Sequence, residues 1–228
     1  MMHERTRLLL GDEAFERLRE SLVAVVGLGG VGGHCAEALA RAGVGRLHLV
    51  DFDRVTESNL NRQLAATRAT LGQWKTEAMR ARIEAVSDCR LSLSRRRVDA
   101  ESVADALPAD ADYIVDAIDQ LSGKLALIDF ARAHGIPILC CMGAGNRLDA
   151  TRFTIRDVFD TAGDPLARRL RQGLRRMGVE RLETVFSDEP PRVRPGQRTV
   201  GSLAPVTAAA GLAAASHVIR RLTGDSLS

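Results

Sequence analysis

Glycines at positions 27, 29, 30 and 32 close the apolar run Val23-Ala-Val-Val26, and a helical pattern follows directly. Two carboxylates, Asp51 and Asp53, close the next apolar run, Arg46-Leu-His-Leu-Val50. Strand, glycine turn, helix, strand and acid in this order make a nucleotide site. Gly27 suits the tight turn. Gly29 and Gly30 leave room for backbone N–H groups to reach phosphate oxygens. Gly32 lets the helix approach the strand, and the helix N-terminus offers its positive dipole to an anion. Asp51 falls about where a carboxylate meets ribose hydroxyls. Three more polar groups follow: Asn59-Leu-Asn-Arg-Gln63, Lys75 and Asp116-Ala-Ile-Asp119. All fall around the carboxyl ends of expected strands, where open α/β sheets bind ligands. The pattern calls for a nucleotide without saying which.

Alternating strands and helices must position these groups. Strands are expected over 22–26, 47–50, 91–93, 113–115 and 136–142. Helices are expected over 11–19, 34–42, 73–86, 99–107 and 124–134. This alternation predicts a Rossmann-like, doubly wound and mostly parallel sheet with helices on both faces. The texture changes after residue 142. Residues 151–155 alternate like an antiparallel strand. Asp164-Pro165 opens a helix that runs to Arg176, with proline at its first position. Residues 187–199, rich in proline and arginine, read as a mobile loop, and 205–222 as an alanine-rich helix. We therefore expect one domain over 1–228: a nucleotide-binding core, 1–142, and a C-terminal antiparallel extension and substrate region, 143–228.

Composition narrows the function. The chain has 228 residues, 45% hydrophobic and only 4% aromatic, so its core is aliphatic. No apolar run is long enough to span a bilayer, and a cytoplasmic protein is expected. Cys35, Cys89, Cys140 and Cys141 form no C-x-x-C pair, which excludes a four-cysteine zinc site. They read as small buried hydrophobes. Among 32 lysines and arginines only Lys75 and Lys124 are lysine. Arginine is the default cation here, so each lysine merits scrutiny. Lys124 is expected on the surface.

The glycine loop, Asp51-Phe-Asp53, Asn61-Arg-Gln63, Lys75 and Asp116-Ala-Ile-Asp119 together resemble the adenylating domain of ubiquitin-activating-like enzymes, the ThiF, MoeB and HesA superfamily. Four segments of the second half narrow the resemblance to the tRNA threonylcarbamoyladenosine dehydratase family. They are Gly143-Ala-Gly-Asn-Arg-Leu-Asp149, Asp164-Pro-Leu-Ala-Arg-Arg-Leu-Arg171, Val185-Phe-Ser187 and Gly201-Ser-Leu-Ala-Pro-Val206. That resemblance implies ATP and Mg²⁺, a tRNA carrying threonylcarbamoyladenosine, and a reaction that adenylates its carboxylate and cyclises it. It implies Arg62 and Lys75 on the phosphates and Asp119 holding Mg²⁺ on the triphosphate. Asp51 would hold the ribose, with Asp53, Asn59 and Gln63 nearby. It also implies a homodimer in which Arg5 enters the partner's site, and a possible link to sulfur-transfer proteins. The family's substrate gives Arg168, Arg171 and Arg175, one face of the helix after Asp164, a role as a tRNA-backbone patch rather than a solvated face. Three readings compete: adenylation of a small sulfur-carrier protein, nicotinamide-dependent oxidation, and tRNA binding without catalysis.

Overall fold

The structure is a computed structural model that describes residues 2–197 and 199–224. Two short helices open the chain, α1 (Glu4–Leu10) and α2 (Asp12–Glu20). The core then runs β1 (Leu22–Val26), α3 (Gly32–Ala42), β2 (Arg46–Val50), α4 (Lys75–Glu84), β3 (Arg90–Ser94), α5 (Val103–Ala106), β4 (Tyr113–Asp116), α6 (Leu121–His134) and β5 (Ile138–Cys141). The extension adds β6 (Phe153–Asp157), α7 (Pro165–Arg176), β7 (Glu183–Ser187) and α8 (Ala204–Thr223). The strands form one sheet in the order β3-β2-β1-β4-β5-β7-β6. All neighbours are parallel except β6, which runs antiparallel to β7 from Phe153 opposite Ser187 to Asp157 opposite Glu183. This is the doubly wound sheet with an antiparallel extension that the sequence predicts.

Period two along β1 divides the core between the sheet faces. Val23 and Val25 pack with Leu39 of α3 and Val218 of α8 on one side. Leu22, Ala24 and Val26 pack with Leu127 and Phe130 of α6 on the other. Cys140 and Cys141 likewise point to opposite faces, and all four cysteines are buried and unpaired. Burial pushes the Cys89 and Cys141 thiols up to about 12, so neither is a thiolate at neutral pH.

Several expectations need correction. Helix α1 precedes the helix expected over 11–19. The helix expected over 99–107 shrinks to Val103–Ala106. There the Asp99 carboxylate accepts from the Glu101 and Ser102 backbone N–H groups, a local turn that competes with helix. Strand β7 was expected only as part of a motif. Ser187 closes β7, and the described residues that follow it up to 199 form no helix or strand, but hydrogen bonds tie them to residues 146–152. Arg198 lies outside the described residues.

Candidate active site

The carboxyl ends of β1, β2, β4 and β5 open on one cleft of about 590 Å³. Gly27, Gly29 and Gly30 form its floor. Gly27 has φ +91°, and a Cβ on Gly32 would stand 1.8 Å from the Gly27 carbonyl oxygen. Any side chain at 32 would therefore push the first turn of α3 off the loop. Gly32 itself lies beneath the cleft rather than lining it.

Asp51 organises this loop. It is 8% exposed, and its two oxygens accept from Leu28 N at 2.7 Å and Asp53 N at 2.8 Å. Burial raises its pKa above the usual carboxylate range, while Lys75 and those two N–H groups pull it back. A ribose hydroxyl would donate to lone pairs the loop leaves open.

Lys75 is the first residue of α4. Its backbone N donates to Asp53 O at 3.0 Å and its Nζ to Asp53 Oδ2 at 2.8 Å. The ammonium is 8% exposed against 50% for the Asp53 carboxylate. Asp53 thus holds the cation over the cleft from its solvent side. Arg62 lines the same cleft, its Nη1 anchored on Ser58 O and Asn61 Oδ1, both at 2.9 Å. Asn59 and Gln63 are each 8% exposed and line the cleft. Asn59 Oδ1 is engaged by Thr56 N at 3.1 Å, so its side chain also shapes the turn that carries Arg62.

Asp119 is exposed on the opposite wall. No group of three or more His, Cys, Asp or Glu able to hold a metal occurs among the described residues. An open carboxylate in the cleft that Arg62 and Lys75 also line fits a magnesium ion that takes most of its ligands from phosphates and water.

Lys124 lies inside the protein, contrary to the surface position expected for it. Its side chain and that of Asp116 are both 0% exposed. Nζ donates to Asp116 Oδ2 at 3.0 Å and to Cys141 O at 2.8 Å. Burial works against its charge, but facing Asp116 carries its pKa above the usual lysine value. Asp116 Oδ1 in turn accepts from Ile118 N at 3.2 Å. One buried cation therefore ties the ends of β4 and β5 together and fixes the turn that carries Asp119.

Sequence reading missed part of the site. Arg96, Arg97 and Phe52 also line the cleft. Arg97 donates to Gln120 at 2.6 Å and sits 5.4 Å from the Phe52 ring centroid. These arginines follow β3, so the strand-end rule that located Asp51 and Asp119 was the available signal.

Other expected residues stand apart from the cleft. Arg5 is exposed on α1, near Met2, Leu8 and Leu9, which are 58%, 80% and 84% exposed. On α7, Arg168 and Arg175 are exposed, Arg175 at 5.8 Å from the Phe159 ring centroid. Arg171 Nη1 instead bonds Val158 O, Thr161 O and Thr161 Oγ1 at 3.2, 3.0 and 2.6 Å. Asp164 caps α7 by accepting from Ala167 N at 2.9 Å and pairs with buried Arg147 at 2.9 Å. Leu166, in the first turn of this helix, reaches the cleft.

The profile of the ThiF family matches residues 3–228. A tRNA threonylcarbamoyladenosine dehydratase of Bacillus subtilis is 37% identical, over 99% of this chain and 96% of its own length. Crystal structures of the Escherichia coli tRNA N6-threonylcarbamoyladenosine dehydratase, TcdA, in complex with AMP and with ATP, superpose with TM-scores of 0.92. Each is 33% identical, and the match covers 98% of this chain and 94% of theirs.

Proposed function

The chain belongs to the ThiF family, and from that membership and the cleft we propose that it is an ATP-dependent tRNA threonylcarbamoyladenosine dehydratase. The observation that carries the reading is the convergence of the glycine loop, Asp51, Arg62, Lys75 and Asp119 on one cleft. Full-length likeness to curated dehydratases supports the substrate. A carboxylate is a poor electrophile because oxide is a poor leaving group. Its oxygen attacks the α-phosphorus of ATP, the bond to the bridging β-oxygen breaks, and pyrophosphate leaves. The carbamoyl oxygen then attacks the acyl carbon and AMP departs, so the net change in the nucleoside is loss of one water.

Each residue has a task in this scheme. The α3 N-terminus and loop N–H groups seat phosphates. Arg62 and Lys75 stabilise charge that builds on phosphoryl oxygens, where preorganised cations act most strongly. Asp51 holds the ribose. Asp119 holds Mg²⁺, which neutralises phosphate charge when bound. No protein nucleophile is needed, in keeping with four buried cysteines. Calorimetry should find ATP bound more tightly than NAD, and more tightly still with Mg²⁺. Binding of NAD without ATP would reject the nucleotide assignment.

A tRNA approaches through its phosphates in this reading, over the α7 face. Because Arg171 is tied to the 158–161 turn, the patch rests on Arg168 and Arg175. Each neutralised phosphate adds roughly −0.7 to −0.9 to the log–log salt slope. The double alanine variant should therefore flatten the slope for tRNA by about 1.5 with ATP affinity unchanged. An unaltered slope returns both arginines to the solvent.

The enzyme acts as a homodimer in the cytoplasm, with the apolar face of α1 against the partner and Arg5 reaching the partner's site. Light scattering should give twice the chain mass. Mixing Arg5→Ala with Asp119→Ala protein should restore some activity. A monomer, or no restoration, rejects the exchange. No helix among the described residues is long and apolar enough to cross a membrane.

A further inference from the structure

Asn146 is the only non-glycine described residue with positive φ, +58°. A left-handed backbone at a residue with a Cβ has a cost, though asparagine tolerates it better than most. This asparagine makes four hydrogen bonds to one segment. Its N donates to Gly201 O and its O accepts from Arg192 N, both at 2.7 Å. Its Oδ1 accepts from Gln197 Nε2 and Gly201 N, both at 2.7 Å. The preceding residue is Gly145, where a Cβ would stand 2.2 Å from Val200 Cγ1. Two further ties fasten the same segment. Glu189, 5% exposed, accepts from Leu148 N at 3.0 Å and Asp149 N at 2.9 Å. Asn61 Nδ2 donates to Ser202 O at 3.0 Å.

The described residues of 188–203 are therefore strapped between the turn after β5 and the turn that carries Arg62. Its inner side, Val200 and Ser202, lines the nucleotide cleft. Its outer side exposes Arg192 and Arg194. Such a strap touches the nucleotide site with one side and offers cations to a polyanion with the other.

Resting on the dehydratase reading, we infer that Asn146 is a positioning residue that holds this strap as the wall presenting the tRNA-borne carboxylate to the nucleotide. Asn146 touches neither substrate. Its side-chain oxygen sets where the strap stands, so its effect falls mainly on the tRNA: the strap meets the nucleotide cleft only at its rim, through Val200 and Ser202, while the glycine loop and Asp51 hold ATP.

Three full-chain variants test this by steady-state conversion of threonylcarbamoyladenosine tRNA, ATP calorimetry and thermal unfolding. Asn146→Gly keeps the backbone freedom and removes the acceptor. It should raise the tRNA KM about tenfold, because a strap without its two Oδ1 bonds leaves its place in most molecules, with the ATP Kd near the parent's and the unfolding midpoint only slightly lower. Asn146→Asp keeps the oxygen and should hold the KM within about threefold. Gln197→Ala removes one of two donors on the exposed strap and should raise the KM about threefold even if Asn146→Gly fails to fold. An unchanged KM in Asn146→Gly and Gln197→Ala overturns the inference, as does an ATP Kd that rises in step with the tRNA KM. Failure of the parent protein to convert the tRNA at all is a separate result, which rejects the dehydratase reading and the inference with it.

Discussion

Lys75→Ala and Asp119→Ala should each lower AMP formation by about 10²–10³, the usual cost of removing one preorganised charge contact from a transition state. Both should fold. Lys75 leaves behind Asp53, whose carboxylate is half exposed and rehydrates once its partner is gone, and Asp51, which keeps its two backbone N–H donors. Asp119 is itself exposed, and its removal orphans nothing buried. The fall therefore belongs to the chemical step. It is measured as pyrophosphate release at saturating ATP and tRNA, beside a thermal unfolding curve for each variant. Parent-like rates in either variant would remove that residue from the site.

Lys124→Met is expected to act by the opposite route. The two lysines of the chain each face an aspartate at nearly equal distance, 2.8 and 3.0 Å. Burial separates them. Asp116 is 0% exposed, so the loss of Lys124 strands a carboxylate with no water to reach it. Breaking a buried pair from one side costs roughly 3–5 kcal/mol, which is a large part of the stability of an ordinary domain. Urea unfolding should show a loss of that order. Adding Asp116→Asn removes the stranded charge while keeping an acceptor for Ile118 N, and should return most of the loss. A double variant no more stable than Lys124→Met would mean that the pair is not what holds β4 to β5. Surviving Lys124→Met protein should also adenylate slowly, because the Asp119 turn hangs on Asp116.

What could be read from the sequence follows from the range of each signal. The glycine loop, Asp51 and the α7 cap with Asp164 and Pro165 are local patterns, decided within a few residues, and the structure places them as expected. Lys124 is not local. Its partners come from β4 and from the carbonyl end of β5, and with no local motif to give it a role it is expected on the surface. Its rarity in an arginine-rich chain was the one available hint. Arg96 and Arg97 escaped because β3, Arg90-Leu-Ser-Leu-Ser94, is a weakly apolar strand half open to solvent whose end has no clear mark in the sequence. Arg171 read as one of three equivalent arginines on a helix face. Only the 158–161 turn, packed beside α7, shows that its guanidinium is already engaged. The strap resisted reading for the same reason: proline and arginine content marks a loop, but its ties to Asn61, Asn146 and Leu148 are long-range.

Adenylation and cyclisation of a carboxylate borne by tRNA is the activity proposed for this cleft. Mass spectrometry of nucleosides from threonylcarbamoyladenosine tRNA, incubated with the protein, ATP and Mg²⁺, tests it most directly. The expected result is conversion of the modified nucleoside to a product lighter by one water, with AMP and pyrophosphate released in equal amounts and no conversion when ATP is withheld. Unchanged nucleosides alongside ATP–pyrophosphate exchange on a small sulfur-carrier protein would contradict it.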